Sequence, residues 1–266
     1  MDSRERARLT RTHVLRTISG AGLGHVGGDF SVTDILAVLY SDVLRFDPAN
    51  PQWPDRDRFV LSKGHAAVSF YTTLAMSGYF DLDELTSFAA EGSMLNGHPA
   101  RAKVPGVETS TGPLGHGLPV AVGMAIGARI RGQQWRTFVV TGDGELQEGS
   151  NWEAAMLAGH RSLGNLTLIV DRNRLQQGAR TEETNALDPL DAKFEAFGWE
   201  AVEVDGHDHE QLRRELTRTH DKPLVVIANT TKGRGVSFME DLAVWHHKVP
   251  SPEQVDAALV EIGTSS

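Results

Sequence analysis

Two side chains carry the strongest chemical signal in the sequence: Asp143 in TFVVTGDG and Asn173 in NLTLIVDRN. Each follows an apolar run with the length and composition of a buried strand, and the segment between them reads as one helix. A strand–helix–strand unit of roughly thirty residues makes two parallel neighbours, so the Asp143 carboxylate and the Asn173 amide oxygen arrive at one crevice. Both are hard oxygen donors, suited to Mg²⁺ or Ca²⁺ and unsuited to a soft metal. Gly142 and Gly144 remove side chains where a diphosphate must approach the backbone, and a following helix would aim N–H groups at it. The ligand these residues predict is a diphosphate bridged to a divalent cation. Gly-Asp-Gly alone is a common turn, and Asn173 alone a common turn residue. Their order on successive strand ends is what separates a site from two turns.

Histidines form the second group. His25, His65 and His98 each lie in a glycine-flanked loop (GLGHVGG, SKGHA, NGHP) rather than on an amphipathic face, where an imidazole is free for proton transfer or hydrogen bonding. His246 follows the last predicted strand in WHHK. His160, His207, His209 and His220 fall on predicted helices or turns and read as ordinary structural groups. Gly22, Gly24 and Gly27 match a dinucleotide fingerprint in spacing, but a charged helical segment precedes them where that motif needs a strand.

The elements that must position these groups follow from periodicity. Arg4 to Ser19 is a predicted helix running into the loop GAGLGHVGG, and Ser31 to Leu44 resumes helical spacing. Arg58 to Leu61 is a strand candidate ending at SKGH, after which His65 opens an apolar helix. Asp81 caps a short amphipathic helix, and the Gly-, Pro- and Thr-rich segment from Leu95 to Gly117 is a long loop of the functional kind. From Val120 onward, helices and nearly continuous apolar strands alternate: TFVVTGD, NLTLIVDRN, AVEVDG and PLVVIANTT. That pattern predicts an α/β fold, a doubly wound, mostly parallel sheet with helices on both faces. Ligands of such sheets sit beyond the strands' carboxyl ends, so chemistry is expected after FVVT, LIV and VIANTT. Ser251, with Pro252 at N1 and Gln254 at N3, starts a capped terminal helix.

Composition narrows the class. The 266 residues are 40% hydrophobic and 23% charged, the range of one large α/β domain over 1–266. No apolar run is long enough to span a bilayer, and the N-terminus lacks a signal-peptide core, so a cytoplasmic protein is expected. The absence of cysteine excludes disulfides, thiolate zinc sites and thiol nucleophiles. A net charge of −9 without a basic stripe argues against nucleic acid or an anionic membrane as partner.

In order along the chain, GLGHVGG, SKGHA, NGHP, TGPLGHG, GDGELQEG, DRNRLQ and WHHK resemble the N-terminal half of transketolases, within the thiamine-diphosphate enzymes. The resemblance covers almost the whole chain and implies the thiamine-diphosphate-binding fold. It implies that Asp143, Asn173 and the Leu175 carbonyl hold the metal, Mg²⁺ with Ca²⁺ or Mn²⁺ as alternatives, and that Gly144 contacts the diphosphate. Gly112, Pro113 and Leu114 would line the bent ring system of thiamine diphosphate, with His65 and His246 also against the cofactor. His25, His65, His98 and His246 would be the catalytic imidazoles, and Glu148 would link two cofactor sites across the interface between chains. The activity implied is transfer of a two-carbon ketol unit from a ketose to an aldehyde, the cofactor supplying the carbanion and electron sink. Full-length relatives continue with a pyrimidine-binding and a C-terminal domain, which implies a separate C-terminal partner subunit, with two copies of each chain in the assembly. One chain of a 2-oxoacid dehydrogenase, or a non-catalytic cofactor-binding protein, shares part of this pattern. The sequence departs from the family at His116, where Gln is common, and at Asp29, where small or hydroxyl residues are usual; either could alter substrate preference, although His116 more simply replaces an amide donor.

Overall fold

The computed structural model describes residues 1–264. Asp2 caps α1 (Ser3–Ala21) by accepting a hydrogen bond from Glu5 N at 2.9 Å, and Gly22 ends the helix at φ 68°. After a short turn come α2 (Val26–Val38), a π-helical turn Leu39–Val43, β1 (Arg58–Leu61) and α3 (Ala67–Met76). A 3₁₀ turn at Leu82–Ser87 and a long loop lead to α4 (Gly117–Ile130), β2 (Thr137–Gly142), α5 (Gly149–His160) and β3 (Leu166–Arg172). A small antiparallel hairpin, β4 (Leu175–Gln176) with β5 (Ala179–Arg180), follows, then α6 (Thr181–Thr184) and α7 (Leu190–Ala196). The chain closes with β6 (Glu200–Asp205), α8 (His209–Thr217), β7 (Leu224–Asn229) and α9 (Pro252–Thr264).

The main sheet has the order β1-β2-β3-β7-β6, and every pairing in it is parallel. Side chains alternate across it, which is why its central strands read as unbroken apolar runs. Phe138, Val140 and Ile169 join one core with α1, α2, α3, α8 and α9, whereas Val139, Leu168 and Val170 join the other with α4, α5 and α7. The doubly wound arrangement with helices on both faces is therefore present. No helix among the described residues is long and apolar enough to cross a membrane.

Several local expectations need correction. The second helix starts at Val26 rather than Ser31, so Gly27 and Gly28 are helical. A Cβ on Gly27 would stand 2.9 Å from the Trp245 carbonyl oxygen, so the glycine permits close packing instead of a loop. His65 does not open a helix; Lys63 to Ala66 form a turn before α3. The segment after Asp81 is 3₁₀, although Asp81 does accept from Asp83 N at 3.2 Å. The expected cap at Ser251 is reciprocal: Ser251 Oγ accepts from Gln254 N at 3.3 Å and Gln254 Oε1 from Ser251 N at 3.1 Å.

Candidate active site

Four parallel strands end on one edge and deliver four polar segments there: Lys63 after β1, Asp143 after β2, Asn173 after β3 and Lys232 after β7. The register Gly142↔Asp171 continues as a hydrogen bond from Asp143 N to the Asp171 carbonyl at 3.3 Å, which ties the two strand ends together. Asp143 is 1% exposed; its carboxylate accepts from Gly144 N at 2.8 Å, Arg174 N at 2.5 Å and the Arg172 guanidinium at 3.3 Å. Burial, and then the nearby Asp171 charge, push the Asp143 carboxyl up from its ordinary range. Asn173 Oδ1 accepts from Leu175 N at 3.1 Å, and the Leu175 carbonyl accepts from Lys232 at 3.4 Å.

A 3₁₀ turn, Gly144–Gln147, follows Asp143, and α5 starts only at Gly149. The N–H groups nearest Asp143 thus belong to this turn, which corrects the expectation of a helix opening there. Glu148 is the exposed N-cap of α5. A Cβ on Gly144 would lie 2.8 Å from Gln176 Cγ, so this position is shaped for close approach. The loop carrying Gly112 to Leu114 is held by Glu145, whose buried carboxylate accepts from Gly115 N at 3.0 Å, Gly142 N at 3.1 Å and the Ser62 hydroxyl.

The strand ends and this loop enclose a cleft of about 410 Å³. Asp143, Asn173, Leu175, Gly144, Glu148, Gly112 and Leu114 line it together with His25, His65, His98 and His246. Pro113, between two lining residues, is exposed and outside the lining. His25 occupies the N-cap of α2 without a side-chain capping bond, leaving its imidazole to the cleft. Its ring centroid lies 5.3 Å from His65, 5.4 Å from His246 and 6.5 Å from His98. Burial, with the neighbouring imidazoles adding to it, pushes His25 down to about 4. Burial, and then the Lys232 charge, take His246 down to about 3, and burial beside Lys63 takes His65 well below its ordinary value. At neutral pH these rings are uncharged, each with one acceptor nitrogen and one donor.

Of the two departures, His116 is the exposed N-cap of α4, its Nδ1 3.1 Å from the Leu114 carbonyl, and Asp29 is wholly buried in α2. Neither lines the cleft. His207 and His209 both bond to Asp34, which also takes Arg11 at 2.6 Å, so they serve the packing of α1, α2 and α8.

Sequence reasoning missed Lys63, Lys232 and His247. Lys63 is 1% exposed; it donates to the Gly28 carbonyl at 3.0 Å and pairs with Asp171. Lys232 is 2% exposed, lies 3.0 Å from His246 Nδ1, and forms no ion pair among the described residues. Burial, and then Lys63, push it down to about 8. The signal for both was available: each follows a strand at its carboxyl end.

The donor set fits a hard divalent cation bridged to a diphosphate: a carboxylate, an amide and a carbonyl oxygen, with the buried Lys232, which forms no ion pair among the described residues, beside them. A parallel sheet with convergent strand ends and a glycine turn at β2 defines the class, an α/β protein whose ligand cleft lies beyond the strands' carboxyl ends. The family described as transketolase, thiamine diphosphate binding domain, matches residues 3–263. An apulose-4-phosphate transketolase subunit from Actinobacillus succinogenes is 47% identical over 98% of this chain and 95% of its own length. A 6-deoxy-6-sulfo-D-fructose transketolase subunit from a Clostridium species is 38% identical over 98% of this chain and 96% of its own. The solved transketolase of Leishmania mexicana superposes with a TM-score of 0.93 at 33% identity, covering 99% of this chain and 41% of that one. The chain spans about two fifths of the length of that transketolase. It belongs to the transketolase thiamine-diphosphate-binding family.

Proposed function

We propose that this chain is the diphosphate-binding half of a two-subunit transketolase, moving a two-carbon ketol unit from a ketose, phosphorylated or similarly anionic, to an aldehyde. One observation carries the reading: Asp143, Asn173 and Leu175 line the same cleft as four neutral or partly buried imidazoles. Thiamine diphosphate, when bound, supplies the electron sink for breaking and making the C–C bond. Asp143, Asn173 and the Leu175 carbonyl hold the cation, Mg²⁺ by the hardness of the donors, with Ca²⁺ and Mn²⁺ as substitutes. Gly144 leaves room for the diphosphate, and Lys232 neutralises it. Gly112 and Leu114 shape the wall against the ring system, and Pro113 between them acts only through the backbone that joins the two.

His25, His65, His98 and His246 bind sugar hydroxyl and carbonyl oxygens. Because burial keeps the rings neutral, each can hold or pass a proton at an oxygen without first losing one to water. Lys232 beside His246 Nδ1 fixes that ring's orientation. Glu148, exposed at the cleft's edge, faces the partner subunit, which carries the pyrimidine-binding half. We assign the assembly two copies of each chain and a cytoplasmic location.

The test mixes this chain with a pyrimidine-domain subunit, thiamine diphosphate and Mg²⁺, and follows ketol transfer over a panel that includes apulose 4-phosphate, 6-deoxy-6-sulfo-fructose and pentulose phosphates. Turnover is expected from the pair and from neither chain alone. Activity of this chain by itself would remove the two-subunit assignment, and failure of every pairing to bind the cofactor would remove the function.

A further inference from the structure

We propose that His25, His246 and His247 form a second metal site, a three-imidazole site for a borderline transition ion such as Zn²⁺, separate from the oxygen-donor site at Asp143. One ligand nitrogen from each of the three rings lies within 4.8 Å of the other two. The rings are inclined to one another rather than stacked: His25 and His247 at 57° with centroids 4.4 Å apart, His246 and His247 at 75° and 4.6 Å, His25 and His246 at 83° and 5.4 Å. Imidazole lone pairs lie in the ring plane, so edge-on rings can aim nitrogens at one point where parallel rings cannot.

The chemistry of the set decides the ion. Three nitrogen donors with no carboxylate favour Zn²⁺, Cu²⁺, Ni²⁺ or Co²⁺ over Mg²⁺, the reverse of the preference at Asp143 and Asn173. Three histidines with a fourth position left to water or a ligand is an open tetrahedral geometry known for Zn²⁺. Nitrogens around a tetrahedral ion with bonds of about 2.1 Å stand about 3.4 Å apart, so a pair at the 4.8 Å limit must close by about 1.4 Å. His247 supplies that adjustment: it is exposed and makes no hydrogen bond among the described residues. The other two are better anchored, His25 at the start of α2 and His246 beside Lys232 and after the buried Trp245. An ion there would occupy two of the imidazoles assigned to sugar oxygens and so exclude the sugar; that consequence rests on the proposed function, whereas ion binding does not.

The test titrates the untagged chain with Co²⁺ in excess Mg²⁺ and reads its visible ligand-field absorption, which is intense only for four-coordinate Co²⁺. One equivalent is expected, displaced by Zn²⁺. His247→Asn, at an exposed position whose loss is checked for folding by circular dichroism, should weaken Co²⁺ by more than the roughly 10–100-fold typical of losing an outer-shell partner. Asp143→Asn should leave the band in place. Loss of the band in Asp143→Asn but not in His247→Asn, or competition by Mg²⁺ at millimolar concentration, would overturn the proposal. Because the readout is absorption rather than turnover, it fails or succeeds independently of the transketolase assignment.

Discussion

Asp29 offers a quantitative test of the electrostatics of α2. It is 0% exposed; Oδ1 accepts from Ser69 N at 2.8 Å, and Oδ2 has no hydrogen-bond partner. Burial pushes its carboxyl up from 3.8 to about 7. In the unfolded chain the group loses its proton near 3.8, whereas in the folded chain it keeps it to about 7. Between those values the folded state binds more protons, so stability falls as pH rises, and the loss is complete above pH 7. The distance from 3.8 to about 7, at about 1.4 kcal/mol per pH unit, gives a penalty of about 4 kcal/mol at pH 8 and of roughly 1–2 kcal/mol at pH 5. Asp29→Asn has no charge to bury and keeps an acceptor for Ser69 N, but it leaves an amide N–H without a partner at a cost of about 1–3 kcal/mol. The variant should therefore be near neutral at pH 5 and more stable than the parent by about 2 kcal/mol at pH 8. Urea unfolding of both proteins from pH 5 to pH 8 measures this, and groups elsewhere cancel in the difference. A variant-minus-parent difference that stays flat across the range would refute the assignment of a raised carboxyl at Asp29. Substrate preference should be unchanged, since Asp29 is outside the cleft lining.

Asp143→Asn or Asn173→Ala should abolish measurable thiamine diphosphate and Mg²⁺ binding by calorimetry in the assembled enzyme, with far-ultraviolet circular dichroism intact. Gly64→Ala would put a Cβ 2.7 Å from Thr111 Oγ1 and 2.8 Å from Gly112 N, displacing the Gly112–Leu114 loop; the Kd for cofactor should rise at least tenfold while β1 remains folded. Asp34→Asn strands Arg11 in a buried site and should cost about 3–5 kcal/mol in chemical denaturation. Despite burial, Arg11, His207 and His209 hold the Asp34 carboxyl well below 3.8, so its contribution is present above that value and disappears as pH falls through the depressed folded value.

What the sequence makes legible follows from how local the determinants are. The β2–α5–β3 unit is readable because its strands are buried on both faces and therefore apolar without interruption, so the first polar residue after each marks a strand end. The Ser251–Gln254 cap is readable because both partners sit within one turn. The start of α2 is not. Two consecutive glycines weaken a helix by about 1 kcal/mol each, and the compensating contacts, Trp245 and Lys232 against Gly27, lie two hundred residues away. The β4–β5 hairpin escapes for another reason: strands of two residues are too short to show a period of two.

The site divides along the same line. Asp143, Asn173 and the loop histidines announce themselves by residue type and flanking glycines, but their electrostatics do not. His25, His65 and His246 are pushed far down only because folding packs them into one buried cluster with Lys63 and Lys232. Lysine in a sequence is read by default as solvated, since an unpaired buried ammonium is costly. Lys63 escapes that cost through Asp171, and Lys232 carries it as a depressed value of about 8. A buried lysine without a carboxylate partner at the carboxyl end of a parallel strand is a cation waiting for an anion. The strand-end rule applied to every polar residue after VIANTT, rather than to donors of metal alone, reaches Lys232 from sequence, whereas the contact of His247 with His25 needs the fold.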